Sequence, residues 1–175
     1  ATPSRTSAGR WRRMPLGSAE TLALTGMMGS GKSTVAPLLA RWLGRRLVRL
    51  DAEIVRAAGK PIAQVFAEDG EGRFRALERA AVASIPPGAV ADLGGGAFCD
   101  PHGAGRLLAT ARVVFLDVSA QEAARRIGDD PARPLAGRWE ALLARRLPLY
   151  RRAHLTVQVD GLTPEAVARR VLESL

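Results

Sequence analysis

Gly26-Met27-Met28-Gly29-Ser30-Gly31-Lys32-Ser33 fits the pattern Gly-x-x-x-x-Gly-Lys-[Ser/Thr] in full, and Thr34 carries it into a helical run. Residues of these types at this spacing bind the phosphates of a nucleotide. Glycines let backbone N–H groups close around phosphate oxygens, and the helix that follows adds the positive end of its dipole. Lys32 brings a point charge to the β and γ phosphates, and the Ser33 hydroxyl reaches the Mg²⁺ that travels with them. The segment therefore implies a purine nucleotide, ATP. It does not say what receives the phosphate.

Such a loop needs a strand before it and a helix after it, and the flanking residues supply both. Leu22–Thr25 is a short apolar run. Val35, Leu38, Leu39, Trp42 and Leu43 follow one helix face, with Gly44 as the stop, and Pro37 is expected to bend that helix. Further strands are predicted at 47–50, 89–93, 112–117 and 155–159. Asp51 could cap a helix ending at Gly59, and 61–68 and 72–84 look helical. Ser119 and Glu122 read as a capping box. Residues 138–152 form another helix, and Thr163-Pro164 opens the last one. Strands alternating with helices give an α/β fold, a three-layer sandwich with a parallel sheet covered on both faces.

The chain has 175 residues, which fits one domain, expected over 20–175. One cysteine, Cys99, and two histidines, His102 and His154, exclude a disulfide framework and argue against a Cys- or His-built metal site. No apolar run is long enough to span a membrane. Net charge is +9, and Arg5, Arg10, Arg12 and Arg13 lie in a stretch, 1–19, that reads as a disordered basic tail. That tail shows neither the amphipathic period of a transit peptide nor the apolar block of a secretory signal. Without residues 1–13 the charge falls from +9 to +5, and no basic–aromatic ladder suggests nucleic acid.

Several short segments now acquire meaning together: the glycine loop, Leu-Asp-Ala-Glu-Ile (50–54), Phe-Arg-Ala-Leu-Glu (74–78), Gly-Gly-Gly-Ala (94–97), Arg-Pro-Leu (133–135) and Arg-x-Pro-Leu-Tyr (146–150). In order and spacing, from about Leu22 to Leu175, they resemble the shikimate kinase family. The resemblance implies phosphorylation of the 3-hydroxyl of shikimate by MgATP, a step of chorismate and aromatic amino-acid biosynthesis. It also implies the P-loop, nucleoside-monophosphate-kinase-like fold with five parallel strands in the order 2-3-1-4-5. Substrate-binding helices would occupy about 51–84 and a lid about 128–137, in a cytoplasmic monomer.

Carried over by motif, Asp51 would bind the substrate hydroxyls and orient or deprotonate the attacking one. Arg75 and Arg146 would grip the carboxylate, and the backbone of Gly94, Gly95 and Gly96 would pass close to the substrate. Gly29, Ser30, Gly31, Lys32, Ser33 and Thr34 would hold the phosphates, Arg126 would lie by the adenine, and the loop 160–164 would edge the base. Arg133 would be the lid arginine on the transferring phosphate. These roles suit the side chains, since a guanidinium pairs bidentately with a planar carboxylate. Each residue also has a plainer reading. Arg75 could pair with Glu71 or Glu78 on its own helix, Arg146 could belong to a solvated face, and Asp51 could be an N-cap.

One position departs from the family. Its Asp-x-Asp after the second strand is here Arg49-Leu50-Asp51, so an arginine replaces the carboxylate on the metal side. Asp92, at the end of the third strand, is the candidate replacement, at the place of an ordinary Walker B aspartate. An Arg49–Asp92 ion pair is a further expectation. The alternatives are another small P-loop kinase acting on a hydroxy acid such as gluconate, a nucleoside-monophosphate-type kinase, and a catalytically weak regulator that binds nucleotide. Cys99 reads as an apolar filler, both histidines as surface or loop residues, and Trp42 and Trp139 as packing residues.

Overall fold

The computed structural model of the chain describes residues 15–128 and 138–175. Residues 1–14 of the expected tail, nearly all of the expected lid and Arg133 lie outside the described residues.

The elements run β1 (Thr21–Thr25), α1 (Lys32–Leu43), β2 (Leu47–Arg49), α2 (Leu50–Ala58), α3 (Ile62–Ala83), β3 (Val90–Asp92), a 3-10 turn (Ala97–Cys99) and α4 (Pro101–Thr110). They continue with β4 (Ala111–Asp117), α5 (Ala120–Ile127), α6 (Arg138–Tyr150), β5 (Leu155–Gln158) and α7 (Pro164–Ser174). The five strands are parallel and ordered β2-β3-β1-β4-β5, as the resemblance implied. Every residue of β1 is buried, as are six of the seven in β4, because helices cover both faces of the sheet. α1 packs on α7, and α3 packs on α4.

Local chemistry sets the helix ends. Gly44 closes α1 in the left-handed region and donates its N–H to Ala40 and Arg41 carbonyls. Thr163 caps α7 by accepting from Ala166 N. α1 runs through Pro37 without interruption. α3 holds the two expected helices, which meet at a kink where Gly70 leaves helical backbone (φ 80°, ψ 173°).

Four readings change. Helix α4 was not anticipated; its start is Asp100, which accepts from Gly103 N at 2.8 Å, followed by Pro101 in the first turn. Asp51 is not an N-cap. Arg49 holds that position in extended backbone, and Asp51 lies in the first turn of α2. The capping box is half a box: Ser119 Oγ accepts from Glu122 N, but the Glu122 side chain turns to Arg125 and Arg126, and Ser119 N donates to Asp160. Trp42 is 41% exposed rather than packed.

The near end of the expected tail is also held to the domain. Leu16 packs on the core, and Arg45 donates to the carbonyls of Gly17 and Glu20. At the N-terminal edge of the sheet, Arg112 is fully buried and grips Glu20 through Nε–Oε1 (2.9 Å) and Nη2–Oε2 (3.1 Å). His154 lies in the connection between α6 and β5, a loop residue as expected but buried, with Nδ1 accepting from Val113 N. The opposite edge, where the strands end, carries the chemistry, as expected for an open parallel sheet.

Candidate functional site

The phosphate loop leaves β1 at Gly26. A Cβ there would lie 2.6 Å from the Leu116 carbonyl oxygen, so the loop packs against β4 only with glycine at this position. The first turn of α1 carries no acidic residue, which leaves the dipole free to attract an anion. Lys32 curls over the loop and donates to Gly26 O (2.7 Å), Met27 O (3.0 Å) and Ser30 Oγ (3.3 Å).

Beyond the ends of β2 and β3 lies a cavity of about 490 Å³. It gathers Lys32, Ser33, Asp51, Arg75, Asp92, Arg146 and all three glycines of the triplet. Each glycine accommodates one functional side chain. A Cβ on Gly94 would meet Asp51 Oδ1 at 2.9 Å, on Gly95 Arg146 Nη1 at 3.1 Å, and on Gly96 Arg75 Nη1 at 3.2 Å. Tyr150, at the end of α6, anchors the same turn by donating its hydroxyl to the Gly95 carbonyl while its ring stacks on Phe115.

Arg75 takes both of its readings at once. It pairs with Glu78 (2.7 Å) and more loosely with Glu71 (3.3 Å), and it still lines the cavity. Glu78, whose side chain is 6% exposed, thus orients the guanidinium. Burial pushes the Glu78 carboxyl above its ordinary range, opposed by Arg75. Arg146 lines the cavity beside it, and no carboxylate pairs with it among the described ion pairs. Asp51 is also raised, by burial first and by the charge of Asp92 second, with Lys32 opposing.

The cavity also has an apolar wall of Ile62, Phe66 and Phe74, with the two phenylalanine rings 4.5 Å apart and the Arg75 guanidinium over the Phe74 ring. Neither this wall nor the anchoring by Tyr150 was read from the sequence. The i, i+4 spacing of Ile62 and Phe66 was the available signal for the wall.

On the other side of the phosphate loop is a second cavity of about 560 Å³, bordered by Ser33, Thr34, Arg126 and the 161–164 loop. Arg126 is a clamp. Its Nε donates to Glu122 (2.8 Å), Nη1 to Gly29 O (3.3 Å) and Ser30 O (3.5 Å), and Nη2 to Val159 O (2.7 Å) and Leu162 O (3.4 Å). One guanidinium thus ties the phosphate loop to the loop bordering the second cavity. Hydrogen bonds from Arg125 and Arg126 lower the Glu122 carboxyl to about 2.

For a metal, Ser33 and Asp92 supply a hydroxyl and a carboxylate in one cavity. Among the described residues no three or more His, Cys, Asp or Glu form a cage. A sparse set of hard oxygens suits Mg²⁺, which keeps waters and takes its other ligands from phosphates. The register places Arg49 opposite Asp92, but the ion pairs of the described residues do not include one between them.

The family model described as shikimate kinase matches residues 28–175. The chain belongs to the shikimate kinase family. A shikimate kinase of Thermobifida fusca (strain YX) is 47% identical over 161 residues, spanning 87% of this chain and 92% of that one. One from Mycobacterium avium (strain 104) is 44% identical over 162 residues, spanning 87% and 91%. Among solved structures, the shikimate kinase from Acinetobacter baumannii in complex with shikimate superposes with a TM-score of 0.79 at 30% identity, covering 95% of each chain. Membership of the shikimate kinase family accounts for the sheet order and makes the chain a nucleotide-binding phosphotransferase.

Proposed function

We propose that the protein transfers the γ-phosphoryl group of ATP to the 3-hydroxyl of shikimate, with Mg²⁺ as the nucleotide's cation. One observation carries this reading: the glycine triplet brings Asp51, Arg146 and Arg75 around one cavity that opens onto the phosphate loop. The two guanidiniums bind the ring carboxylate. Ile62, Phe66 and Phe74 give the ring an apolar face, which favours a cyclic acid over an open-chain polyol such as gluconate.

With the carboxylate held, the ring hydroxyls point to Asp51. A carboxylate raised by burial is a better proton acceptor than a solvated one, so Asp51 orients the attacking hydroxyl and takes its proton as the new P–O bond forms and the bond from the γ-phosphorus to the departing ADP oxygen breaks. Lys32 exchanges its bonds to the loop carbonyls for phosphate oxygens, and the N–H groups from Gly29 to Thr34 complete the cradle. Ser33 and Asp92 would hold the nucleotide's Mg²⁺, which would supply positive charge to the transferring phosphate. Arg126 lies by the adenine and offers it a guanidinium face, because its N–H groups are already engaged. Arg133 lies outside the described residues and keeps only the role the family resemblance gives it, that of a lid arginine for the transferring phosphate. The family resemblance is what supports a cytoplasmic monomer. Among the described residues no helix is long and apolar enough to cross a membrane.

The test is a coupled ADP-release assay with shikimate and with gluconate, on the wild type and on Asp51→Asn. Shikimate-dependent turnover that Asp51→Asn abolishes is the expected result. ATP binding without turnover of either acid would favour the regulator instead.

A further inference from the structure

Three carboxylates line the cavity beside the phosphate loop, and their surroundings sort them. Glu78 is spent on Arg75. Asp51 lies over Gly94, on the side where the acid binds. Asp92 has neither occupation. It is in register with Leu24 on one side and with Arg49 on the other. It therefore sits on the strand adjoining the one that feeds the phosphate loop, whereas residue 49 is a further strand, about 4.8 Å, away. Its Oδ1 accepts from Gly94 N at 3.3 Å, which fixes the carboxylate at the end of the strand. None of the ion pairs among the described residues involves Asp92.

A carboxylate facing a polyphosphate site repels its ligand unless a cation lies between them. Lys32 is committed to the loop and the phosphates, so the bridging charge has to come from elsewhere. We infer that Asp92 is the metal-side carboxylate of this protein, holding the nucleotide's divalent cation with the Ser33 hydroxyl from the third strand. Arg49 makes the second strand unsuited to that work. This inference deepens the kinase reading and rests on it for the identity of the nucleotide.

The experiment measures binding rather than turnover. Affinity for a nonhydrolysable ATP analogue is determined by calorimetry in MgCl₂ and in EDTA, for the wild type, Asp92→Asn, Asp92→Ala and Asp51→Asn. In the wild type Mg²⁺ tightens binding. In both Asp92 variants that gain falls by about tenfold or more, while binding in EDTA is unchanged or tighter because a repelling charge has gone. A misfolded variant would lose binding in both buffers, so the crossed pattern identifies the metal role. Asp51→Asn keeps the wild-type gain. An undiminished Mg²⁺ gain in Asp92→Asn overturns the inference, and so does its loss in Asp51→Asn alone. If the wild type never turns over shikimate but the crossed pattern appears, the substrate reading fails and the metal assignment stands.

Discussion

Asp51 fills the space that a side chain on Gly94 would need: Oδ1 lies 2.9 Å from where that Cβ would be. Gly94 also has φ +62°, where an L side chain costs about 1–2 kcal/mol. Gly94→Ala is therefore expected to lower melting temperature and to push the carboxylate out of line. A displacement of about 1 Å can cost on the order of 100-fold in rate. Turnover number and melting temperature, measured together, check this; a variant that is less stable but fully active would contradict it.

Asp51→Asn should separate function from stability. Loss of the proposed proton acceptor is expected to cost roughly 10²–10⁴-fold in kcat. The raised pKa means that the folded state holds the Asp51 proton more tightly than the unfolded chain does. Its ionised form is thus a penalty, absent below the ordinary carboxyl value of 3.8 and fully present above the raised value. Asparagine removes the penalty, so the inactive variant should melt higher than the wild type at neutral pH, with the difference vanishing near pH 3.8.

Arg75 and Arg146 should differ although both are proposed to bind the carboxylate. Alanine at either is expected to raise the shikimate KM by roughly 10–100-fold, the value of a charged hydrogen-bonded pair. Arg75→Ala also strands the buried Glu78, so it should lower stability by about 1–3 kcal/mol, discounted because Arg75 is partly exposed. Arg146→Ala strands no described ion-pair partner and should fold nearly as well. Denaturant melts beside steady-state kinetics distinguish the two.

Arg126→Lys keeps the charge and loses the fork. One ammonium cannot serve Glu122 and four carbonyls on two loops. The ATP KM should rise about tenfold, one charge-assisted contact's worth, with little change in the shikimate KM. An equal rise in both constants would mean that the clamp supports the whole site rather than the nucleotide side.

His154 predicts acid sensitivity. Burial, with Arg112 nearby, lowers its pKa from 6.5, while Glu20 opposes. The unfolded chain therefore binds a proton before the folded one does, and stability should fall as pH drops from 6.5 towards the lowered value. His154→Asn, which keeps an acceptor for Val113 N, should flatten this part of the pH–stability curve.

What could be read from the sequence was whatever is local along the chain. The phosphate loop, the glycine triplet and the strand pattern each fit within a few residues, and so did the possibility that Glu78 orients Arg75. The job of Tyr150 could not be read, because its acceptor is Gly95, on a turn far away in sequence. The same holds for Arg126, whose carbonyl acceptors sit on two distant loops. Helix α4 was missed because Gly103 and Gly105 depress helix propensity, although Asp100-Pro101 announced its start. Asp51 also admits a cap reading, since aspartate is a favoured N-cap residue; here the chain enters the helix two residues earlier, which leaves the side chain to the cavity.

Gly29, Gly31 and Ser33 border both cavities, the one that gathers Asp51 and Arg146 and the one that Arg126 walls. What one ligand does to this stretch of the phosphate loop is therefore felt by the other, and such a coupling is reciprocal. ATP should tighten shikimate binding by the same factor by which shikimate tightens ATP.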